Sequence, residues 1–319
     1  MESAARRLYA LGFCAFLVPA VLHLPSAGWL WTAAASSFCA LLLAVLIALR
    51  RKCGHTLSEI AARAPIGRCV LLLVLLWNLL LLGSTAAELC AAYPKGDTFP
   101  LIGLLLLLLA AYAAERGEAV VLRVGAIVFF ALLIFFALIL GFALPKVHLA
   151  WLAPQTSVDW KRLTAVLCPT VVLYLGGSGE KSKCAPWLLL GVVFATLCAA
   201  VTVGTLSPAV ASEDRFPFYT AAKSVSVLGA MERLEPLVSA ALTAGGFCLL
   251  ALICAANGRI LGAFLPKAEK CTALLNFALG GGAMWLSKLL PAAFIAIGTT
   301  IFWGIFPMIT LSLGTRKKV

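Results

Sequence analysis

CPTVVLYLGGSGEK (168–181) is the stretch on which the reading of this chain turns. An apolar run long enough to enter a membrane contains Pro169, then meets Gly176, Gly177, Ser178 and Gly179, with Glu180 and Lys181 directly after. Proline removes a backbone donor and glycine loosens a helix, so the run predicts an interrupted span. Freed peptide groups at membrane depth are tolerated only against protein or a wet cavity. GFCAFLVP (12–19) carries a similar signal in Gly12 and Pro19, with Pro25 and Gly28 downstream. The two places are the first helix of the first five and the first helix of the second five, which predicts inverted five-helix repeats. Helix N-terminal amides suit a carboxylate, and bare carbonyls suit a cation or ammonium, so an α-amino acid fits such a pair of breaks. Plain helix packing is the competing explanation of the glycines, including Gly245-Gly246 and Gly280-Gly281-Gly282.

The rest of the chain supplies the setting. Of 319 residues, 63% are hydrophobic and 12% charged, and the mean hydropathy is +1.05. No soluble fold hides that much apolar surface, whereas lipid covers it. Runs such as LIGLLLLLLAAYAA (101–114) do not alternate in polarity, which excludes a barrel. The pattern predicts an all-α polytopic membrane protein, a single transmembrane domain over 1–319, with repeats at about 8–144 and 163–313. Ten spans are expected near 8–22, 29–49, 69–91, 99–114, 119–144, 163–179, 185–207, 235–256, 271–288 and 290–313. With ten spans, most basic residues fall on one side, among them Arg6, Arg50, Arg63, Arg116, Arg259 and Lys317. The positive-inside bias then makes both termini cytoplasmic. The segment 208–234, with Pro208, Asp214 and Pro217, is too polar for a span and predicts an external or re-entrant helical hairpin.

Several function classes drop out. The excess of 25 Lys+Arg over 13 Asp+Glu is spread between apolar runs rather than gathered on one solvated face, so it reads as topology signal and not as nucleic-acid binding. The 11 cysteines show no C-x-x-C spacing and no neighbouring histidine pattern, so no metal and no cofactor are expected. Nucleophile-elbow, P-loop and zincin motifs are absent, so the chain reads as no enzyme. His23, His55 and His148 lie at or near span ends and read as surface residues.

Candidate site residues follow from the breaks and from charges near membrane depth. Gly12, Cys14, Ala15, Phe16 and Pro19 in span one, with Tyr174, Gly176, Gly177, Ser178 and Gly179 in span six, are the expected solute-binding set. Glu88, Glu180, Glu232, Arg233 and Glu235 are the coupling or gating candidates. Glu88 reads equally as an interfacial acid, and the MERLE run (231–235) equally as a salt-bridged helix start. Asn78, nearer mid-span, reads first as a helix-to-helix hydrogen bond and second as a solute contact.

AAYAAERGEAVVLRVGAI (110–127) resembles the start of span five in the spore germination permeases, the B-type subunits of germinant receptors. These sit within the amino acid–polyamine–organocation transporter superfamily. FPFYTAAKSVSVLGAMERLE (216–235) is similar to the family's signature before span eight, and GFCAFLVP to its break in span one. Residue by residue, the resemblance touches Gly12, Pro19, Gly117, Arg123, Pro217, Arg233 and Glu235, and suggests Glu180 as the acid after the span-six break. Cys14 and Ala15 stand where the family is usually richer in glycine. The resemblance implies a ten-helix, 5+5 inverted-repeat, leucine-transporter-like fold with helices one and six broken. It also implies sensing of a small amino acid or similar nutrient, beside an A-type membrane subunit and a C-type lipoprotein. The expected place is then the bacterial cell membrane, specifically the spore inner membrane. A proton- or cation-coupled amino acid transporter is the alternative function.

Overall fold

In lipid an apolar run becomes a helix because a helix pairs its own backbone groups and needs no neighbour to do so. The computed structural model describes residues 2–23, 28–63, 65–92, 101–153, 164–175, 184–224, 235–264 and 271–316. The first half contributes α1 (Glu2–His23), α2 (Trp29–Cys53), α3 (Leu57–Ala62), α4 (Pro65–Ala91), α5 (Leu101–Glu115) and α6 (Glu118–Ala143). A 3-10 segment, Thr164–Tyr174, opens the second half, followed by α7 (Ala185–Leu206), α8 (Pro208–Glu213), α9 (Pro217–Ser224), α10 (Glu235–Phe264) and α11 (Thr272–Leu289). The last span is composite: α12 (Ala292–Thr299), a π-helical turn Thr300–Ile305, and α13 (Phe306–Arg316).

All ten expected spans have counterparts. Among the described residues, seven segments are long and apolar enough to cross a membrane, from Arg6–His23 to Ala293–Gly314. The other three are α5 with 15 residues, α11 with 18 and the 3-10 segment with 11. At roughly 2.0 Å per residue, 3-10 geometry stretches those 11 residues over about 22 Å. The outward faces are apolar, with Phe38, Leu41, Ile127, Phe130 and Ile134 all exposed, as lipid contact requires. Punctuation follows local chemistry. Gly54, at φ 72°, ends α2 with its N–H on the Arg50 carbonyl, and a Thr56–Glu59 capping box restarts the chain as α3.

One expectation fails. Span one is a single α-helix with Pro19 inside it, not an interrupted one. The reason is its surroundings. From Leu8 to Leu22 almost every side chain is buried, and α1 packs on α6, α7, α10 and the 3-10 segment at once. Pro19 removes only the donor that would meet the Ala15 carbonyl, and packing on all sides holds the cylinder together around that loss. The expected hairpin at 208–234 is present as far as the short helices α8 and α9, whose Phe218 and Tyr219 are buried; residues 225–234 lie outside the described residues.

Side-chain contacts tie the helices at both ends of the bundle. Arg259 Nη2 bonds Glu118 Oε2 at 2.5 Å at one end of the bundle. At the other end His23 meets Glu88, Trp29 Nε1 donates to the Leu152 carbonyl at 2.8 Å, and Lys146 Nζ donates to the Ser224 carbonyl at 3.1 Å.

A polar ladder crosses the interior on one side. Trp303 Nε1 donates to Asn78 Oδ1 at 2.9 Å, and Asn78 Nδ2 to Asn257 Oδ1 at 2.9 Å. Asn257 Nδ2 donates to Asn276 Oδ1 at 2.8 Å, and Asn276 Nδ2 to the Cys254 carbonyl at 3.3 Å. Asn78, Asn257 and Asn276 are fully buried. The ladder ties α4, α10, α11 and the π turn together, which gives Asn78 the helix-to-helix role expected first.

Candidate functional site

The helices on the other side of α1 leave space. Between α1, α2, the 3-10 segment and α7 runs a narrow crevice of about 30 Å3, threaded between side chains, so a solute larger than water enters only if these helices move apart. Tyr9, Gly12, Phe13 and Phe16 line it from α1, Ser36 and Cys39 from α2, Val172 from the 3-10 segment, and Trp187 and Gly191 from α7. Its small residues set the spacing. A Cβ on Gly12 would lie 3.1 Å from Val172 Cγ2, and one on Gly191 would lie 3.2 Å from the Phe16 ring. Aromatic edges hold the walls: Phe13 meets Phe129 at 5.1 Å and Phe194 at 6.0 Å, and Phe129 meets Trp187 at 4.9 Å.

The polar content is small and incomplete. Ser36 is 1% exposed, and its Oγ has no hydrogen-bond partner among the described residues. Tyr174, fully buried on the 3-10 segment, also carries a hydroxyl without a partner among them. A buried hydroxyl left unpaired costs about 1–3 kcal/mol. Tyr174, expected in the solute-binding set, does not line the crevice, so Ser36 alone of the two marks a place in its wall completed by something else.

The end of the 3-10 segment is anchored from α2. Arg50, 3% exposed, places Nη1 2.6 Å from the Leu175 carbonyl and 3.4 Å from that of Val172. A cation suits the carbonyl end of a helical segment, where the peptide dipoles converge. The anchor sits directly before Gly176, so the chain enters the glycine run from a fixed point.

The expected solute-binding residues therefore separate. Gly12 and Phe16 line the crevice, Gly12 through close approach and not through bare backbone. Cys14 turns the other way and sets its thiol 3.8 Å from the Gly125 carbonyl of α6. Ala15 and Pro19 lie within α1 and do not line the crevice, because a continuous helix presents only one face to it. Gly176, Gly177, Ser178, Gly179, Glu180, Glu232 and Arg233 lie outside the described residues, and Glu235 is the first residue of α10. Glu88 Oε2 sits 3.0 Å from His23 Nε2 at the far end of α1, so the histidine read as a surface residue is instead its partner.

Sequence reasoning missed Ser36, Trp187 and Gly191, and counted Arg50 only as a topology charge. The signal for Ser36 was the small-residue run AAASS (33–37), which marks a close helix approach. Nothing in the sequence set Arg50 apart from Arg51 and Lys52. Chemically the crevice offers aromatic and aliphatic walls with two lining residues that carry hydroxyls, Ser36 and Tyr9, of which the Tyr9 hydroxyl already accepts from Arg51 Nη2 at 3.3 Å. Among the described residues no group of three or more His, Cys, Asp or Glu side chains is placed to hold a metal ion.

The same architecture is found in solved transporters. The chain is similar to a manganese transporter from Eremococcus coleocola in complex with an aromatic bis-isothiourea substituted compound, at 15% identity and a TM-score of 0.57. It is likewise similar to a point-mutant form of that transporter, at 15% identity and a TM-score of 0.56. Each alignment covers 98% of this chain and 76% of the other. These likenesses give the fold, a ten-span leucine-transporter type. A search of curated protein sequences finds no significant match. The family model described as spore germination protein matches residues 56–287, most of the chain, and with the ten-span fold in hand this chain belongs to that spore germination permease family.

Proposed function

We propose that the chain is the solute-sensing B-type subunit of a nutrient germinant receptor, binding a small amino acid or similar nutrient in the crevice between α1, α2, the 3-10 segment and α7. The observation that carries this reading is the Ser36 hydroxyl, buried without a partner in the wall of an unfilled space among four spans. Apolar walls take the aliphatic part of a solute, and the Ser36 hydroxyl orients it. Gly12 and Phe16 belong to this binding set, and Gly176, Gly177, Ser178 and Gly179 supply the peptide dipoles for the charged ends of an amino acid. Glu88 with His23, and Glu180, Glu232, Arg233 and Glu235, are the gating groups. Occupancy shifts the balance between access states, because the solute binds one state better than the other. An A-type membrane subunit and a C-type lipoprotein receive that shift. Both termini are cytoplasmic, and the membrane is the spore inner membrane.

Spores lacking the gene test the reading. They should fail to germinate in response to one nutrient class while vegetative growth is unchanged; full germination on every nutrient defeats it. The transporter alternative is favoured by the His23–Glu88 pair, a titratable contact at one mouth of α1. Accumulation of a labelled amino acid in proteoliposomes under a proton gradient would replace sensing with coupled transport.

A further inference from the structure

A second cavity, of about 810 Å3, opens at the basic end of the bundle, where α3 and the start of α4 face the last span. Two ridges of that span line it at helical spacing: Ile301, Ile305, Ile309 and Leu313, and beside them Phe302, Phe306, Thr310 and Gly314. From Ile301 to Leu313 is roughly 18 Å at 1.5 Å per residue, close to the thickness of one leaflet's hydrocarbon, about 15 Å. The slot begins at the π turn, Thr300–Ile305, and ends at the membrane surface near Gly314. Its floor is held by close approaches: a Cβ on Gly314 would lie 3.2 Å from Cys53 Sγ and from Ile60 Cγ2.

The mouth of the slot carries Arg63, with His55 beside it; Arg68, which follows Gly67, does not line the slot and places its Nε on the Ala62 carbonyl at 2.8 Å. The nearest acid, Glu59, is already engaged by the Thr56 N–H at 3.2 Å and by His55 Nδ1 at 3.4 Å. Arg63 is exposed and makes no side-chain hydrogen bond or ion pair among the described residues. An apolar slot of leaflet length, with the Arg63 cation at headgroup level, matches one molecule in both parts.

We infer that this groove is a binding site for an anionic phospholipid, its acyl chains along the Ile301–Leu313 ridge and its phosphate at Arg63. An apolar transmembrane helix of another subunit would use the slot but leave Arg63 unmatched. The occupant is therefore lipid.

Native mass spectrometry of the purified, delipidated full chain tests this with phosphatidylglycerol and phosphatidylcholine of identical acyl chains. The chain should retain phosphatidylglycerol preferentially. Arg63→Gln should lower that preference about fivefold, since a basic side chain near an anionic membrane surface contributes about 1 kcal/mol, and Arg63→Lys should keep it. Arg116→Gln, an exposed cation stacked on Tyr112 away from the groove, should leave it unchanged. Ile305→Trp with Ile309→Trp should reduce retention of both lipids by filling the slot. Equal retention of the two lipids, or an equal loss in Arg116→Gln, overturns the site. So does displacement by glycerol phosphate, which has a headgroup without chains, or a dimer forming in place of lipid binding. Arg63 is exposed, so a thermal midpoint matching the parent chain verifies that Arg63→Gln is folded.

Discussion

On one side of α1, three asparagines on α4, α10 and α11 and Trp303 of the π turn are buried and satisfied in series, each meeting the next at 2.8–2.9 Å, while beside this ladder Trp77 Nε1 of α4 is buried without a partner among the described residues. On the other side, α2, α7 and the 3-10 segment bury two hydroxyls and satisfy neither among the described residues. The hydrocarbon around both is the same, so the difference belongs to the protein. A completed ladder fixes the spacing of the helices that share it. An incomplete wall leaves helices whose spacing another molecule can decide. The last span belongs to the ladder through Trp303 in its π turn, a helix type that recurs at functional positions. The structure thus pairs a fixed side with an adjustable one, and α1 packs against both.

The largest effect should come from the ladder. Asn257→Leu keeps the volume but strips Asn78 Nδ2 of its acceptor and Asn276 Oδ1 of its donor. A lost interhelical bond in a membrane costs about 0.6 kcal/mol on average, and an orphaned buried amide about 1–3 kcal/mol. The variant should lose about 2–4 kcal/mol, taking both costs together, read as a lower thermal midpoint in detergent. An unchanged midpoint would dissolve the contrast between the two sides. Next comes Arg50→Gln, which removes the charge-assisted bond to the Leu175 carbonyl. It should cost about 2 kcal/mol and raise hydrogen exchange at 164–175 well before it does so in α10. A uniform rise across the chain would mean that Arg50 supports the whole bundle and not the 3-10 segment.

Much of this architecture was legible in the sequence because each span announces itself by a long apolar run and each loop by charge. Span six was legible as unusual, since Pro169 and the glycines that follow Leu175 are both visible there, and it is a 3-10 segment as far as it is described. Span one was misjudged for a physical reason. Gly12 and Pro19 are read locally as breaks, but a helix buried on every side keeps its geometry, and the neighbours that bury it come from residues more than a hundred positions away. The pairing of Asn257 with Asn78, the turning of Cys14 toward Gly125 and the reach of Arg50 to Leu175 are of the same kind. Each depends on helices brought together only by the fold, and one sequence carries no trace of which pairs will meet.

Smaller effects probe the adjustable side. Gly191→Ala places a Cβ 3.2 Å from Phe16 Cδ1 and 3.3 Å from Cε1, so the ring must yield into the crevice. Its cost should be about 1 kcal/mol, with solute response falling further than stability. A response equal to that of the parent chain would take Phe16 out of the binding set.

Ser36→Ala should have the smallest effect on stability and is the most telling. Removing a hydroxyl that has no partner takes away a buried cost and no bond, so the unliganded protein should be unchanged or up to about 1 kcal/mol more stable. The ladder behaves in the opposite sense, because each of its polar groups is already paired. With solute present the sign reverses. If the hydroxyl meets the solute, its loss removes a hydrogen bond contributing about 0.5–1.5 kcal/mol, and affinity should fall about two- to tenfold. Thermal midpoints of parent and Ser36→Ala, measured with and without the germinating nutrient, separate the two contributions in one experiment. A variant less stable without solute would show that Ser36 is already satisfied. A variant equally stabilised by solute would place the binding surface on another wall of the crevice.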